Sequence, residues 1–207
     1  MRGLTVDVGG TLLSPTEPVG QTYARLGAPF GVQRSPSQIG AAFRGAFRVS
    51  GQQLGDGRPF WRAVVSASTG CADEALFEAL YAHYQRPEAW TLREGAREAL
   101  GALRERGLRL AVLSNWDTRL PALLRAMALA PLFDAVLCSG ELGVEKPDPR
   151  VFAAAARALG LPPGDIVHLG DDPIADQQGA LNAGFGALLW GRDLRRYAEL
   201  PGLIDPG

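Results

Sequence analysis

The chain predicts an α/β fold: a Rossmann-like, three-layer core around a parallel sheet, with a block of helices inserted after the first strand. Three observations predict it. Short apolar segments bounded by Gly, Asp or Ser recur, helical patterns lie between them, and one long interval carries helical spacing alone. Leu4 to Val8 is the first strand-like segment, and the long interval from about Ser14 to Trp90 follows it directly. That interval has Ala, Leu, Phe, Trp and Tyr at helical spacing, breaks at Gly31 to Pro36, Gly51 to Pro59 and Thr69 to Asp73, and no strand signal. Next comes a helix over Arg93 to Arg106, stopped by Gly107. Strands at Leu108 to Leu113 and Ala135 to Cys138 precede a helix over Pro149 to Leu159, with Asp148 as N-cap, Pro149 at its first position and Gly160 beyond its end. Ile166 to Leu169 and Gly186 to Trp190 complete the sheet, and the Arg-, Pro- and Gly-rich tail is expected to wrap the surface. The domain division expected is a core of residues 1–13 and 91–207 with an insertion of residues 14–90.

Composition bounds the function. The 207 residues carry 21 basic and 22 acidic side chains, a formal net charge of -1, so no overall field favours nucleic acid or an anionic membrane. No apolar run approaches the roughly 20 residues needed to span a bilayer. With the first strand starting so near Met1, no secretory leader fits, and a cytoplasmic protein is expected, monomer or homodimer. Cys71 and Cys138 have no metal-type spacing and read as buried or part-buried thiols.

The chemistry is concentrated where strands end, the usual place for sites in open parallel sheets. Asp7 closes the first strand, and Gly9, Gly10 and Thr11 follow in a turn whose backbone can approach a ligand. A carboxylate so placed can attack phosphorus and form an aspartyl phosphate. Ser114 and Asn115 after the next strand offer hydrogen bonds to phosphoryl oxygens, as does Thr11; a turn or capping role is the bland reading of Ser114. Lys146 supplies a cation joining nucleophile and phosphoryl group, on a loop fixed by Pro147. Asp171 and Asp172, with Asp176 a helical turn further on, form a carboxylate cluster that a cation would relieve, and Mg²⁺ fits its oxygen chemistry. The expected ligands are Asp7, the Gly9 carbonyl and Asp171, with Asp176 behind them; Asp172 is equally well a helix cap. His168 reads as a core histidine and His83 as an insertion-helix residue. Arg58, Trp61 and Tyr23 enter as large groups of the insertion able to face a substrate, though Trp61 is better explained by packing.

The runs Val6-Asp7-Val8-Gly9-Gly10-Thr11-Leu12, Val112-Leu113-Ser114-Asn115, Lys146-Pro147-Asp148 and Leu169-Gly170-Asp171-Asp172 with Asp176 resemble, in order and spacing, the four motifs of the haloacid dehalogenase (HAD) superfamily. The helical insertion resembles the C1 cap of subfamily I. The resemblance implies a Rossmann-like core, a mobile helical cap, Mg²⁺, and phosphatase-type hydrolysis of a small phosphorylated metabolite through a phosphoaspartate at Asp7. One position departs from the pattern. Phosphatases of the superfamily carry a general acid/base aspartate where this chain has Gly9. Its loss should raise the barrier by roughly 3 to 5 kcal/mol and leave slow turnover, best for acyl or aryl phosphates that need no proton. A catalytically impaired ligand-binding or interaction protein is the alternative. Dehalogenation is disfavoured by Gly170-Asp171-Asp172, because haloacid dehalogenases need no Mg²⁺ and usually show Ser and Asn there. A sugar kinase, suggested by Asp7-Val8-Gly9-Gly10-Thr11 alone, would require a hairpin directly after that loop.

Overall fold

A computed structural model describes residues 1–204; the last three residues of the expected core segment lie outside it. The chain begins with strand β1 (Gly3–Val6) and a short β2 (Leu13–Pro15), then four helices, α1 (Val19–Gly27), α2 (Pro36–Val49), α3 (Arg58–Thr69) and α4 (Glu74–His83). Strand β3 (Trp90–Leu92) leads to α5 (Ala96–Glu105), β4 (Arg109–Ser114), α6 (Leu120–Ala126), β5 (Ala135–Cys138) and a single turn, α7 (Ser139–Leu142). Helix α8 (Pro149–Leu159), β6 (Ile166–Gly170), α9 (Gly179–Asn182), β7 (Gly186–Leu189) and α10 (Leu200–Leu203) complete it.

Five strands form one sheet in the order β5-β4-β1-β6-β7, every pairing parallel. Alternation along the strands divides the core into two layers. Leu4, Val6, Leu110, Val112, Val167 and Leu169 face Ala99, Leu100 and Leu103 of α5 and the C-terminal Tyr197. Ala111, Leu113 and Ile166 face Val151, Phe152, Ala155 and Leu159 of α8. The fold is thus the expected three-layer α/β arrangement. Helix α8 has the predicted bounds, Asp148 accepting from the Arg150 N–H at its start and Gly160 left-handed at its end.

One expectation fails. The interval 14–90 is not free of strand: β2 and β3 pair antiparallel, Leu13 with Leu92 and Pro15 with Trp90, so the outgoing and returning chain are tied together. Each has only three residues and its partner lies some 75 positions away, too little local pattern to read. β2 does follow the first loop, but it pairs with β3 and makes no hairpin of the kind a sugar kinase requires. Between these strands the four helices bury their own cluster around Tyr23, Ile39, Val65, Leu76, Phe77 and Leu80. Gly20 lets α1 and α2 touch, since a Cβ there would sit 2.1 Å from the Pro36 carbonyl oxygen. No helix among the described residues is long and apolar enough to cross a membrane.

Candidate active site

β1 runs between β4 and β6, with Val6 in register with both Val112 and Leu169. The carboxyl ends of these three strands therefore lie side by side, at the point where the strand order reverses. Asp7 emerges there, its N–H donating to the Leu169 carbonyl at 2.8 Å. Its Oδ1 accepts from the Ser114 hydroxyl at 2.9 Å and from Lys146 Nζ at 2.8 Å. Lys146 also donates to the Leu113 carbonyl at 3.0 Å and to Asp176 Oδ1 at 2.5 Å, so all three ammonium protons have acceptors.

Behind Lys146 the network continues into the sheet. Asp176 accepts from His168 Nε2 at 2.9 Å and, through Oδ2, from the Asp172 N–H at 2.9 Å. A carboxylate only accepts, so His168 carries its proton on Nε2, and Nδ1 accepts a hydrogen bond from the Thr5 hydroxyl at 2.8 Å. His168 is a core residue, as its apolar strand suggested, yet it also orients Asp176. The strand pattern hid that link.

The electrostatics follow from burial and crowding. Burial pushes the Asp7 carboxyl up to about 6 against the opposing pull of Lys146. Burial likewise works against the charge of Lys146, but Asp7 and Asp176 outweigh it and hold the ammonium above its ordinary value. For Asp176 the desolvation is overcome by Lys146 and His168, leaving it well below the usual carboxylate range. Burial and the neighbouring Asp176 raise Asp171. Burial lowers His168, which is neutral at neutral pH. One carboxylate oxygen each from Asp7, Asp171 and Asp176 lies within 4.8 Å of the other two. With Lys146 as the one ammonium among them, the donor set is hard, anionic oxygen in excess, and it suits Mg²⁺. Both Asp176 oxygens already accept from protein groups, so Asp7 and Asp171 are the carboxylates better placed to hold an ion.

The other predicted residues fall in distinct places. Gly9 is exposed at the cavity edge, and an added Cβ there would meet only Trp116, at 3.7 Å. Gly10 has φ +82°, and a Cβ on it would lie 2.3 Å from Asp171 Oδ2. Thr11 is fully buried, its hydroxyl 3.5 Å from Asp171 Oδ1, so it faces the carboxylate cluster and supports the loop. Asn115 clasps the Lys146 backbone: Nδ2 donates to the carbonyl at 3.0 Å and Oδ1 accepts from the N–H at 2.8 Å. Its side-chain amide is thereby committed to the loop carrying Lys146. Asp172 is exposed and accepts from the Ile174 and Ala175 N–H groups, the helix-cap reading. The peptide between Lys146 and Pro147 is cis.

A cavity of about 560 Å³ opens over Asp7, Ser114, Lys146 and Asp171 and extends beneath the inserted helices. Tyr23 and Trp61 line it; Arg58 does not, being turned to Glu78 and stacked over Phe77 and Tyr81. Sequence reasoning missed the residues that dock the insertion here. Ser139 Oγ donates to the Gln53 carbonyl at 3.0 Å, and Glu145 accepts from the Gln53 N–H at 2.5 Å. The Gly55 carbonyl accepts from the Thr118 N–H, Trp61 Nε1 donates to Asp117, and Arg119, paired with Asp117, donates to the Tyr81 carbonyl. Their adjacency to Ser114 and Lys146 was the available signal.

Comparison with known proteins agrees with the fold and the motif order. The haloacid dehalogenase-like hydrolase family model matches residues 1–184. The human haloacid dehalogenase-like hydrolase domain-containing protein 3 is 35% identical over 204 residues, 91% of this chain and 81% of that protein. A phosphoserine phosphatase of Thermus thermophilus is 38% identical over 157 residues, 75% of this chain and 59% of that one. Among solved structures, a dehalogenase superposes with a TM-score of 0.77 at 23% identity, covering 99% of this chain and 97% of its own; at that identity the likeness is one of fold. The motif order, the sheet and the extent of these matches place the chain in the haloacid dehalogenase-like hydrolase family.

Proposed function

We propose that the protein is a phosphoric monoester hydrolase that takes the phosphoryl group of a small phosphorylated metabolite onto Asp7. The observation that carries this reading is the fixing of one Asp7 oxygen by both Ser114 and Lys146, at the floor of the cavity. That contact sets the plane of the carboxylate and places a hydroxyl and an ammonium where phosphoryl oxygens would lie. Asn115 acts by holding the Lys146 loop, and Asp176 and His168 by holding the Lys146 ammonium. Asp7, the Gly9 carbonyl and Asp171 would hold Mg²⁺, which, when bound, neutralises charge on the transferred group. The helices between β2 and β3 act as the cap, residues 14–90 in this reading. The phosphoserine phosphatase likeness supports the phosphatase direction, and the dehalogenase likeness, being one of fold, does not oppose it.

Gly9 sets the rate. A glycine at this position offers no proton to the leaving oxygen, so an alkoxide would depart without help from that position and the phosphoaspartate would lack the water-activating base expected there. Slow hydrolysis follows, limited by release of phosphate from Asp7. The test is Mg²⁺-dependent turnover of a panel of phosphate esters by wild type and Asp7→Asn. Turnover confined to the wild type supports the reading. Equal residual rates in both would refute a nucleophilic Asp7, and inactivity across the panel without labelling of Asp7 would favour the alternative, a ligand-binding protein on this fold.

A further inference from the structure

Above Asp7 the cavity wall is a run of aromatic rings. Trp116, the group 3.7 Å from a Cβ built on Gly9, has its ring centroid 4.9 Å from that of Trp90. Trp90 is 5.6 Å from Tyr84, and Tyr84 6.3 Å from Tyr23. From Tyr23 the run continues through Phe43 and Phe47 to Trp61, at centroid separations of 5.7, 5.7 and 6.0 Å. Every one of these rings lines the cavity that also exposes Asp7.

The buried and part-buried cations beside this wall are already paired. Lys146 is taken up by Asp7 and Asp176, and Arg119 by Asp117. Arg48 is exposed. Along Trp116, Trp90 and Tyr84 a phosphorylated amino or hydroxy acid would leave its carboxylate against aromatic faces, at a desolvation cost. A flat apolar group would instead gain offset-stacked or edge-on contacts. Independently, Gly9 removes the proton donor that an alkoxide requires and a phenolate does not.

We propose that the site is built for an aromatic leaving group: its substrate class is the monophosphate esters of phenols, with the ring held along Trp116, Trp90 and Tyr84. This rests on the phosphatase reading above. An Asp7 oxygen forms the new O–P bond as the P–O(aryl) bond breaks, and the electron pair leaves on the phenolate, which is protonated by water. Water then attacks phosphorus, releasing inorganic phosphate and restoring the Asp7 carboxylate.

Binding and labelling test the two layers separately. In Asp7→Asn protein with Mg²⁺, quenching of tryptophan fluorescence should show naphthylphosphonate binding at least about tenfold tighter than methylphosphonate, the scale of burying a ring's apolar area. Phe47 is 40% exposed at the cavity mouth, so Phe47→Ser should fold. Lying beyond Tyr23 and Phe43 in the run, it should leave naphthylphosphonate binding within about twofold of the parent, whereas Trp90→Leu should weaken it several-fold and leave methylphosphonate unchanged. In wild type, naphthyl phosphate should have a lower KM than acetyl phosphate, whose leaving group is good but ringless. Equal affinities for the two phosphonates, or a KM no lower for the aryl ester while acetyl phosphate still labels Asp7, would overturn the aromatic assignment and leave the phosphatase reading standing. Ring-dependent binding with no labelling of Asp7 by either ester would overturn the phosphatase reading instead.

Discussion

At Gly9 an added side chain would find open cavity and the edge of Trp116; at Gly10 it would strike Asp171 in a left-handed backbone conformation. The two neighbours should therefore respond oppositely to substitution. Gly9→Asp is expected to fold and to raise steady-state turnover by about 10² to 10⁴-fold, the usual worth of general acid-base help. An unchanged rate in a folded, Mg²⁺-binding variant would mean that proton transfer is not what limits the enzyme. Gly10→Ala is expected to cost roughly 1 to 3 kcal/mol in strain and contact and to weaken Mg²⁺ binding through displacement of Asp171, as read by thermal melts with and without the ion. Asp7 carries a pH dependence. Its folded carboxyl titrates near 6 and its ordinary value is 3.8, so the folded state holds more protons between those values. Ionised Asp7 thus costs stability in metal-free protein, a cost complete above about pH 6 and absent below 3.8. Asp7→Asn should raise the metal-free Tm at about pH 7.5, by at most about 3 kcal/mol of stability, with the gain shrinking as pH falls to about 5. A lower Tm for the variant at neutral pH would show that the Lys146 pairing outweighs the desolvation.

Element by element, the sheet was legible because its strands are short, apolar and punctuated: Ile166 to Gly170 is followed by Asp171 and Asp172, and α8 is framed by Asp148, Pro149 and Gly160. The β2–β3 pair was not, since three residues including Pro15 carry no alternation and the pairing is long-range. Nor was the role of His168, whose position in an apolar strand says buried but not bonded to Asp176. Asn115 and Thr11 read from sequence as phosphate contacts; their side chains here reach the Lys146 backbone and Asp171, partners that spacing does not reveal because it shows which loops converge but not which way a side chain turns. The docking of the inserted segment on the core loops belongs to this scale as well. A Cβ on Gly140 of α7 would lie 2.5 Å from the Gly55 carbonyl oxygen. Gly140→Ala should therefore loosen residues 51–57 while sparing the sheet, seen as faster hydrogen exchange in that segment alone. Unaltered exchange there would mean that the docking tolerates the methyl group through a small backbone shift.

For the molecule as a whole, two layers of apolar packing fix β1, β4 and β6 side by side, and that juxtaposition brings Asp7, Ser114 and Asp171 together from well-separated stretches of the chain. The inserted helices, tied at β2 and β3, roof the result with aromatic rings. The central claim is that Asp7 accepts a phosphoryl group and that Gly9 slows its departure. The most direct measurement is the intact mass of protein mixed briefly with Mg²⁺ and acetyl phosphate and quenched in acid, followed over time for wild type and Gly9→Asp. The account predicts a single phosphoryl group on Asp7 that decays slowly in the wild type and markedly faster in Gly9→Asp. Failure of wild-type Asp7 to take up phosphoryl, or equal lifetimes in the two proteins, would contradict it.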